Sequence, residues 1–381
     1  ALHSAVSAHR HVATHSGGFG IEFLPDGNLF VAGEEARVLD PVTGEALLTL
    51  PEPTGGCVES VAVSPDGGLL ATGTVAAGEL VLWDAASGAE VQRFSSAHGP
   101  THTGTITSIA FSPDGRLVAS LAPFRGGEVR VWDVASGDMV AEQSDLDAWN
   151  VPDTQSGAIP PVDLAFHPDG STVAVSTTRG EVLMLDVEES VWEAPLTGHQ
   201  GPVTAIRYLP DGTTLMTSGW DGSIRLWDRG GEQLAAIDAG VGLIHALAVS
   251  GDGRFVLTGG DNGARLWERS PSGVEAISTL LGHQESVGSV AYSDDGTLAA
   301  TFASDAVQVW DSTATGRGEN ATWLGDGPLA FSPDGTRLAI ADVHQRDVIV
   351  RPIDGGDPQP VLPEAPYVGD ARSGEEWGHS G

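Results

Sequence analysis

The amino-acid sequence predicts an all-β fold built from eight repeats, each of four antiparallel strands. A turn motif ending in Asp-Gly recurs along the 381 residues, a pair of apolar residues precedes each turn, and a Trp-Asp or related marker follows it. The 51 glycines and 23 prolines recur at intervals instead of forming one tract, which is typical of an all-β protein with many tight turns.

The turn motif sets the length of the repeat. Its aspartates lie 39 to 55 residues apart and are Asp26, Asp66, Asp114, Asp169, Asp211, Asp252, Asp295 and Asp334. A period of this size indicates stacked supersecondary units, none of which can bury its own faces alone. The aspartate bonds to nearby backbone and the glycine adopts the left-handed conformation, so each motif predicts a hairpin.

The first strand of each repeat is predicted just before the turn. The residues five and three positions before each turn aspartate are apolar in all eight repeats, and this spacing of two indicates a strand. The residue between them is alanine in six repeats: Ala62, Ala110, Ala165, Ala248, Ala291 and Ala330. A bulky face opposite a small one favours a sheet that is covered on both sides by neighbouring sheets.

The third strand ends at the second marker, 14 to 20 residues after the turn aspartate. Five repeats carry a tryptophan there, namely Trp83, Trp132, Trp227, Trp267 and Trp310, whereas Leu39, Leu185 and Ile353 take its place in the others. A second turn, such as ASGAE, and a short fourth strand complete the repeat. The tryptophans are interpreted as core residues and not as a ligand cage.

Repeats of this length that end in Trp-Asp resemble the WD-repeat β-propeller family, over residues 17–363. The eight repeats predict an eight-bladed propeller, and seven blades, which are commoner in the family, are the alternative. The resemblance also implies a structural tetrad in the fifth repeat, formed by His199, Ser218, Asp221 and Trp227. The family's histidine position is occupied by His102, His199 and His283, and by other residues in five repeats.

A single domain is expected over residues 1–363, followed by a polar tail at 364–381. We expect one terminus to close the ring by adding the outer strand of the last blade. Residues 1–16 are favoured for that strand, and the competing segment is PQPVLP at 358–363. The chain begins with Ala1, so we expect it to be a processed or excised part of something longer. The isolated domain is expected to be monomeric.

The charge of the chain excludes several classes of partner. The 18 basic residues, all arginines, face 52 acids, for a net charge of −34, which repels nucleic acid and anionic membrane surfaces. No apolar run is long enough to predict a membrane helix. Cys57 is the only cysteine, which excludes an intrachain disulfide and a Cys-based metal cluster. These observations predict a cytoplasmic protein.

No motif in the sequence predicts catalysis or a cofactor. A Walker phosphate loop needs lysine, and neither a nucleophile elbow nor a His-Glu-x-x-His pair occurs. His9, His11 and His15 could form a surface metal site, but exposed imidazoles on a strand are the preferred interpretation. His199 and Asp221 are interpreted as a structural pair and not as a catalytic dyad.

The remaining candidate is a binding surface. In the family, the loops before the first strand and between the second and third strands share the top rim. Two insertions and nearby loops supply aromatic, arginine and other polar residues to that rim, namely Phe124, Arg125, Trp149, Asn150, Arg179, Trp220, His344 and Arg346. The resemblance therefore implies a non-catalytic scaffold that binds a protein or peptide, as a regulatory part of a larger prokaryotic protein.

An enzyme is the alternative function. Eight-bladed propellers include quinone-dependent dehydrogenases, and the lactone or sugar hydrolases are a further possibility, each with its site in the central channel. Calcium and the channel ligands that the dehydrogenases need cannot be assigned to particular residues of this sequence.

Overall fold

A computed structural model gives the structure of the protein. It describes residues 21–33, 35–40, 43, 45–51, 57–75, 78–94, 104–123, 127–144, 163–270, 273–280, 283, 285–292, 296–303, 306–311, 319–323, 329–342, 347–353 and 359–360. Regular structure in these residues consists of strands alone. They include no helix with the length and hydropathy needed to cross a membrane.

The strands form eight sheets, which we call blades 1 to 8 in chain order. Blade 1 comprises β1 (Ile21–Phe23), β2 (Leu29–Val31), β3 (Arg37–Leu39) and β4 (Ala46–Thr49), and blade 2 comprises β5 (Val58–Val63), β6 (Leu69–Thr74), β7 (Leu80–Asp84) and β8 (Glu90–Phe94). Blade 3 comprises β9 (Ser108–Phe111), β10 (Leu117–Ala122), β11 (Glu128–Asp133) and β12 (Met139–Gln143). Blade 4 comprises β13 (Leu164–Phe166), β14 (Thr172–Ser176), β15 (Glu181–Asp186), β16 (Val191–Trp192) and β17 (Leu196–Thr197). The outer edge of blade 4 is shared by β16 and β17, which both pair with β15.

The second half of the chain repeats this arrangement. Blade 5 comprises β18 (Val203–Tyr208), β19 (Thr214–Gly219), β20 (Ser223–Asp228) and β21 (Gln233–Asp238), and blade 6 comprises β22 (Ile244–Val249), β23 (Phe255–Gly260), β24 (Gly263–Ser270) and β25 (Gly273–Leu280). Blade 7 comprises β26 (Val287–Tyr292), β27 (Leu298–Ala303), β28 (Ala306–Asp311) and β29 (Glu319–Trp323). Blade 8 comprises β30 (Leu329–Phe331), β31 (Arg337–Asp342), β32 (Asp347–Pro352) and β33 (Gln359–Pro360). The strands of each blade are antiparallel and follow the chain order. We name them a to d, from the first to the last.

The blades form a closed ring. Each a strand contacts the a strand of the next blade, and β30 of blade 8 contacts β1 of blade 1. The a strands therefore surround the axis of the ring and the d strands form its circumference. The predicted all-β propeller of four-stranded antiparallel blades is confirmed, and the described residues contain one blade for each Asp-Gly turn of the sequence.

The hydrophobic core lies between the blades. Each of the eight core clusters combines buried side chains from two consecutive blades. The cluster that joins the ends of the chain includes Phe23 and Leu29 of blade 1 with Ala339 and Val350 of blade 8. Small and bulky side chains on facing sheets thus fill the interfaces, as the alternation in the a strands predicts.

The a–b turns that the structure describes form as predicted, and blade 5 gives an example. The Gly212 N–H donates to the Leu209 carbonyl oxygen at 3.0 Å, and Gly212 has a φ of 67°. Oδ1 of Asp211 accepts from the N–H of Thr213 at 2.9 Å and from that of Thr214 at 3.0 Å. The aspartate thus satisfies backbone groups that the tight reversal leaves without a strand partner.

The outermost described strand of blade 8 is β33, which lies in the segment that competed with residues 1–16. Residues 1–16 fall outside the described residues, so their part in closing the ring stays a prediction. One sequence expectation differs from the structure of this blade. The residue at the tryptophan position is Arg351 and not Ile353, because Leu338 pairs with Arg351 in the register in which Leu215 pairs with Trp227. The sequence pattern predicts the marker two residues too late, because Pro352 stands where the other repeats carry an aspartate or a glutamate.

The c–d pairs share an irregularity at the circumference. In blades 1, 2, 3, 5, 6 and 7 the register shifts directly before the residue at the tryptophan position of strand c, which leaves an extra residue on strand d. In blades 1, 2, 3 and 5 that residue is an exposed aliphatic side chain: Leu47, Val91, Val140 and Leu234.

Replacement of Leu257 by alanine tests the importance of the interfaces between blades. Leu257 is fully buried in the cluster between blades 6 and 7. We expect Leu257→Ala to lower the free energy of unfolding by about 2–5 kcal/mol, through lost burial and a residual cavity. Urea denaturation measures the change. Leu234→Ala is the matched control, because Leu234 is 56% exposed, and it should leave the midpoint nearly unchanged. Equal losses for the two variants would contradict a core between the blades.

Candidate protein-interaction rim

The connections between strands fall at two ends of the ring. Because the strands of a blade alternate in direction, the d–a and b–c loops lie at one end, and the a–b and c–d turns lie at the other. We call the first end the top rim and the second the lower rim. Adjacent blades meet at the top rim. A Cβ atom added to Gly180 in the b–c turn of blade 4 would lie 2.5 Å from the His199 carbonyl oxygen, which precedes blade 5.

A hydrogen-bond network fixes the top rim at blade 5. Nδ1 of His199 lies 3.0 Å from Oδ1 of Asp221, and its Nε2 lies 2.9 Å from Oγ1 of Thr217. The indole N–H of Trp227 donates to the same hydroxyl oxygen at 2.9 Å. Since the indole can only donate, the Thr217 O–H proton is available to Nε2 of His199, and Nδ1–H then donates to Asp221. The network ties the d–a loop and the b–c turn to strands b and c.

The strand b member of this network corrects the sequence prediction. The connecting hydroxyl belongs to Thr217 and not to Ser218, whose buried Oγ has no partner among the described residues. Successive side chains of a strand point to opposite faces. Leu215 pairs with Trp227, so Thr217 lies on the tryptophan face of the blade and Ser218 lies on the other face. The predicted roles of His199, Asp221 and Trp227 agree with these contacts.

Asp221 is ionised within this network. Burial raises the pKa of its carboxyl group, but hydrogen bonds from His199, from the Gln200 N–H and from Ser223 outweigh the burial and hold the pKa well below its usual range. The Gln200 N–H donates at 3.0 Å and the Ser223 hydroxyl at 2.8 Å. The carboxylate therefore connects both loops of the rim at blade 5.

The corrected threonine position recurs around the ring. The indole N–H groups of three other tryptophans donate to a threonine on strand b of their own blade, in the pairs Trp83 with Thr72, Trp267 with Thr258 and Trp310 with Thr301, at 2.9 to 3.0 Å. In blade 7, Nε2 of His283 also lies 2.8 Å from Oγ1 of Thr301. The residue of blade 7 that corresponds in sequence to Asp221 of blade 5 is Asp305, which falls outside the described residues.

Trp220 begins a row of contacts along the top rim from blade 5 to blade 7. Its ring lies edge-on to His245 of blade 6, with centroids 6.5 Å apart and an interplanar angle of 80°. Nε2 of His245 is 2.7 Å from Oδ1 of Asp261, which also accepts from the Ser286 hydroxyl at 2.8 Å. Leu243 lies beside this row and is exposed.

Sequence reasoning identified Trp220 but missed the neighbours that hold it. His245 lies at the start of strand a, and Leu243 lies just before that strand. The repeat pattern predicts neither residue, because the corresponding positions of the eight repeats share no common residue type. The hydrogen bonds to Asp261 lower the pKa of this carboxyl group, although burial raises it. Asp261 therefore presents a negative charge to His245.

Arg179 is the other predicted rim residue that the structure describes. It lies in the b–c turn of blade 4, is exposed, and forms no ion pair or hydrogen bond with the described residues. Six predicted residues fall outside the described ranges, so their placement stays a prediction: Phe124, Arg125, Trp149, Asn150, His344 and Arg346. Of the predicted patch, the structure thus places Arg179 and Trp220 on the top rim, in neighbouring b–c turns.

The described residues provide no cluster suited to a metal ion, since nowhere among them do three or more His, Cys, Asp or Glu side chains converge in that way. His9, His11 and His15 fall outside the described ranges. The His199 and Asp221 pair is buried and fully engaged in the blade network, which agrees with its interpretation as structural.

Five segments of the chain match a known family model. The family model described as WD40, "WD domain, G-beta repeat", matches five segments that together cover about half of the chain, namely residues 44–84, 92–133, 191–228, 232–268 and 274–311. The first segment begins just before strand d of blade 1, and each segment ends at or near the last residue of a strand c.

Curated relatives match a part of their own length. The chain is 29% identical over 194 residues to "Telomerase protein component 1" of Mus musculus, which covers 50% of this chain and 7% of the relative. It is 28% identical over 254 residues to "Transducin beta-like protein 3" of Bos taurus, over 62% of this chain and 29% of the relative. These matches and the family match support a non-catalytic, protein-binding propeller, as predicted.

Solved structures share the fold. The C-terminal WD40 domain of Sif2 superposes with a TM-score of 0.71 and 18% identity, over 87% of this chain and 95% of that chain. A chain of the Mitotic Checkpoint Complex superposes with a TM-score of 0.60 and 21% identity, over 77% and 89% of the two chains.

Two substitutions at adjacent positions test whether Thr217, and not Ser218, supplies the hydroxyl group of the network. Thr217→Val keeps the shape of the side chain but removes the hydroxyl from His199 and Trp227, so we expect the free energy of unfolding to fall by roughly 2–4 kcal/mol. Ser218→Ala, the matched control, removes a hydroxyl with no partner among the described residues and should cost far less. Urea denaturation measures both. A larger loss for Ser218→Ala would restore the original assignment.

The ionised state of Asp221 predicts a pH dependence. Its pKa is lowered from 3.8 in the folded state, so its contribution is complete above the unfolded value and is lost as pH falls towards the folded value. Asp221→Asn should therefore be less stable than the parent protein by a constant amount above pH of about 5, with a difference that shrinks below pH of about 4. Denaturant unfolding at several pH values measures it. A difference that grows on acidification would contradict the network.

Proposed function

Because this chain belongs to the WD40 repeat family, we propose that its top rim binds a protein or peptide partner, with the contact centred on blades 4 to 6. The binding is non-catalytic, and the ring serves as a rigid support. The observation that carries the proposal is the row from Trp220 to His245 and Asp261, which spans two blades beside exposed Leu243.

The rigidity of this region supports the proposal. Trp220 lies next to Asp221, whose carboxylate is fixed by His199, Gln200 and Ser223. The backbone N–H of Trp220 also donates to the Pro202 carbonyl oxygen at 2.9 Å, and this hydrogen bond joins the b–c turn to the d–a loop. An aromatic side chain that is already positioned loses little conformational entropy when a partner binds.

The chemistry of the rim defines what the partner presents. Arg179 is an exposed cation on a chain with a net charge of −34, so it favours a carboxylate of the partner. Leu243 and the ring of Trp220 favour an apolar side chain next to it, since aromatic residues and arginines dominate the energetics of interfaces. The partner segment therefore combines an acidic residue with an apolar one.

Three further features belong to this proposal. Phe124, Arg125, Trp149, Asn150, His344 and Arg346 extend the docking surface around the ring, as their loop positions in the repeat suggest. The propeller acts as the regulatory or sensor part of a larger, cytoplasmic prokaryotic protein, and the ring itself is a monomer. The curated relatives, of which the chain covers 7% and 29%, are likewise much longer than the matched segment.

Partner retention by variants tests the docking surface. The immobilised protein captures proteins from the lysate of its source, and mass spectrometry compares the parent with Arg179→Ala and Trp220→Ala. We expect a specific protein to be retained by the parent and reduced at least about tenfold by each variant, since interface anchors commonly contribute more than 1.4 kcal/mol.

Arg254→Ala is the matched control for Arg179→Ala. Arg254 is equally an exposed arginine, but it lies next to an a–b turn at the lower rim, where it pairs with Glu268. This control should retain the partner at the level of the parent. If both top-rim variants also retain it, or if the lower-rim control loses it, the partner binds elsewhere.

A further inference from the structure

Exposed aliphatic side chains concentrate on one part of the circumference. Seven large hydrophobic side chains of the described residues are exposed, and six of them lie in the first two residues of a strand d. These six occur in blades 1 to 5 without interruption, are 38–56% exposed, and are Leu47, Val91, Met139, Val140, Val191 and Leu234. We call them the outer arc. Single exposed aliphatic residues are normal on a protein surface, whereas a concentrated set indicates an interaction site.

The outer arc ends after blade 5. In blade 6 the extra residue of strand d is Ile277, which is partly buried, and in blade 7 it is Asn320, a polar residue. Both blades share the bulge that precedes the aliphatic residue in blades 1, 2, 3 and 5. The bulge alone therefore does not account for the exposed aliphatic side chains.

The outer strands of blades 1 to 5 form one continuous wall, because each c–d turn packs on strand d of the preceding blade. A Cβ atom added to Gly88 of blade 2 would lie 2.6 Å from Cδ1 of Leu48 in blade 1. The side-chain amide of Gln143 in blade 3 donates to the Ser190 carbonyl oxygen of blade 4 at 2.8 Å. Similarly close contacts join the other two pairs of blades, namely Gln92 with Gly137 and Leu196 with Gly231.

This wall is anionic beside its aliphatic side chains. An exposed carboxylate lies one or two residues before each member of the outer arc, and these carboxylates are Glu45, Glu90, Asp138, Glu189 and Glu232. The only cation on the described outer strands of blades 1 to 5 is Arg93, which pairs with Glu79 and Glu90. The other four carboxylates form no ion pair with the described residues, so their charge is available to a partner.

The pattern of charge and apolar surface selects the partner. Carboxylates beside aliphatic side chains complement a surface on which cations lie beside apolar residues. The net charge of −34 repels a second copy of this chain, nucleic acid and anionic membranes. A helix satisfies its own backbone groups, so it can lie across the bulged outer strands without pairing with them. Recognition of an amphipathic helix through its apolar face is a common mode of protein interaction.

We propose that the outer arc is a docking surface for a basic amphipathic helix of a partner protein. The apolar stripe of the helix covers the aliphatic side chains of neighbouring outer strands. Its lysine or arginine side chains pair with the carboxylates that precede those strands. Burial of the aliphatic side chains supplies affinity, and the carboxylates select a basic helix over a neutral or acidic one.

This surface is separate from the top rim. The outer arc follows the c–d turns, which lie at the lower rim, whereas the row that begins at Trp220 lies on the b–c and d–a loops. Trp220→Ala should therefore leave helix binding unchanged. Failure of one proposal leaves the other unaffected, because the two tests use different residues and different ligands.

Fluorescence anisotropy of a labelled peptide tests the outer arc on the full chain. The probe has about 18 residues, or five helical turns, with leucine every three or four positions and lysine on the opposite face. Its control is a scrambled peptide of the same composition and charge that lacks the apolar stripe. We expect the amphipathic peptide to bind at least about tenfold more tightly than the scrambled one, and added salt to weaken it. Equal binding of the two peptides overturns the proposal.

A triple variant tests the aliphatic side chains. Val91→Thr, Val140→Thr and Val191→Thr together alter three neighbouring blades but keep the shape and strand propensity of each side chain. We expect the probe to bind about tenfold more weakly, whereas Leu243→Thr, on the top rim, should not change its affinity. Circular dichroism confirms folding, and unchanged affinity in the folded triple variant contradicts the assignment.

Two double variants of equal charge test the carboxylates. Asp138→Asn with Glu189→Gln should weaken the probe about threefold, since exposed ion pairs contribute a fraction of a kcal/mol each. Glu275→Gln with Glu285→Gln also removes two exposed carboxylates, but outside blades 1 to 5, and should leave its affinity unchanged. Equal losses in the two double variants would indicate attraction by net charge alone and would overturn the proposed site.

Sedimentation of the protein identifies other occupants of the outer arc. We expect neither dimers nor binding to phosphatidylcholine vesicles. If the triple valine variant abolished an observed dimer or vesicle binding, the surface would belong to a second copy of the chain or to a membrane, and the proposal would fail.

Discussion

The structure depends on the burial of both faces of every blade. A four-stranded sheet with apolar residues on each side is exposed unless a neighbour covers it, and the eight core clusters show that each neighbour is the next blade in the chain. The ring must therefore close, because an open arc would leave two apolar sheets in water. The cluster of Phe23 and Leu29 with Ala339 supplies that closure from residues more than 300 positions apart in sequence.

Much of this architecture could be predicted from the sequence because it repeats. A single apolar alternation such as Ile206 and Tyr208 is a weak signal, but the same spacing before eight Asp-Gly turns defines strand a without ambiguity. The end of the chain was harder. Arg351 stands in place of the tryptophan of blade 8, and Pro352 follows where an aspartate is usual. The third strand therefore carries no marker at its true end, and the pattern predicts Ile353 instead. Pairing, and not residue type, determines the register there.

The site illustrates a different limit. The family resemblance implied Ser218 as the strand b member of the tetrad, but Thr217 and Ser218 are adjacent hydroxyl residues that differ in the face to which they point. Thr217 was identified once the pairing of Leu215 with Trp227 fixed that face. His245 belongs to no repeat signal at all, and its role arises from contact with Trp220 of the preceding blade. Contacts between blades connect residues whose partners the sequence pattern does not specify, which is why the rim could be predicted in part only.

The extra residue on strand d of six blades affects the outer edge of those sheets. A regular outer strand would present a straight row of free backbone N–H and carbonyl groups, with which an edge strand of another molecule could pair. The bulge at Leu47, Val91, Val140 and Leu234 bends that row and sets an aliphatic side chain beside it. The outer strands of these four blades therefore lack the flat, regular edge with which a strand of another chain pairs most readily.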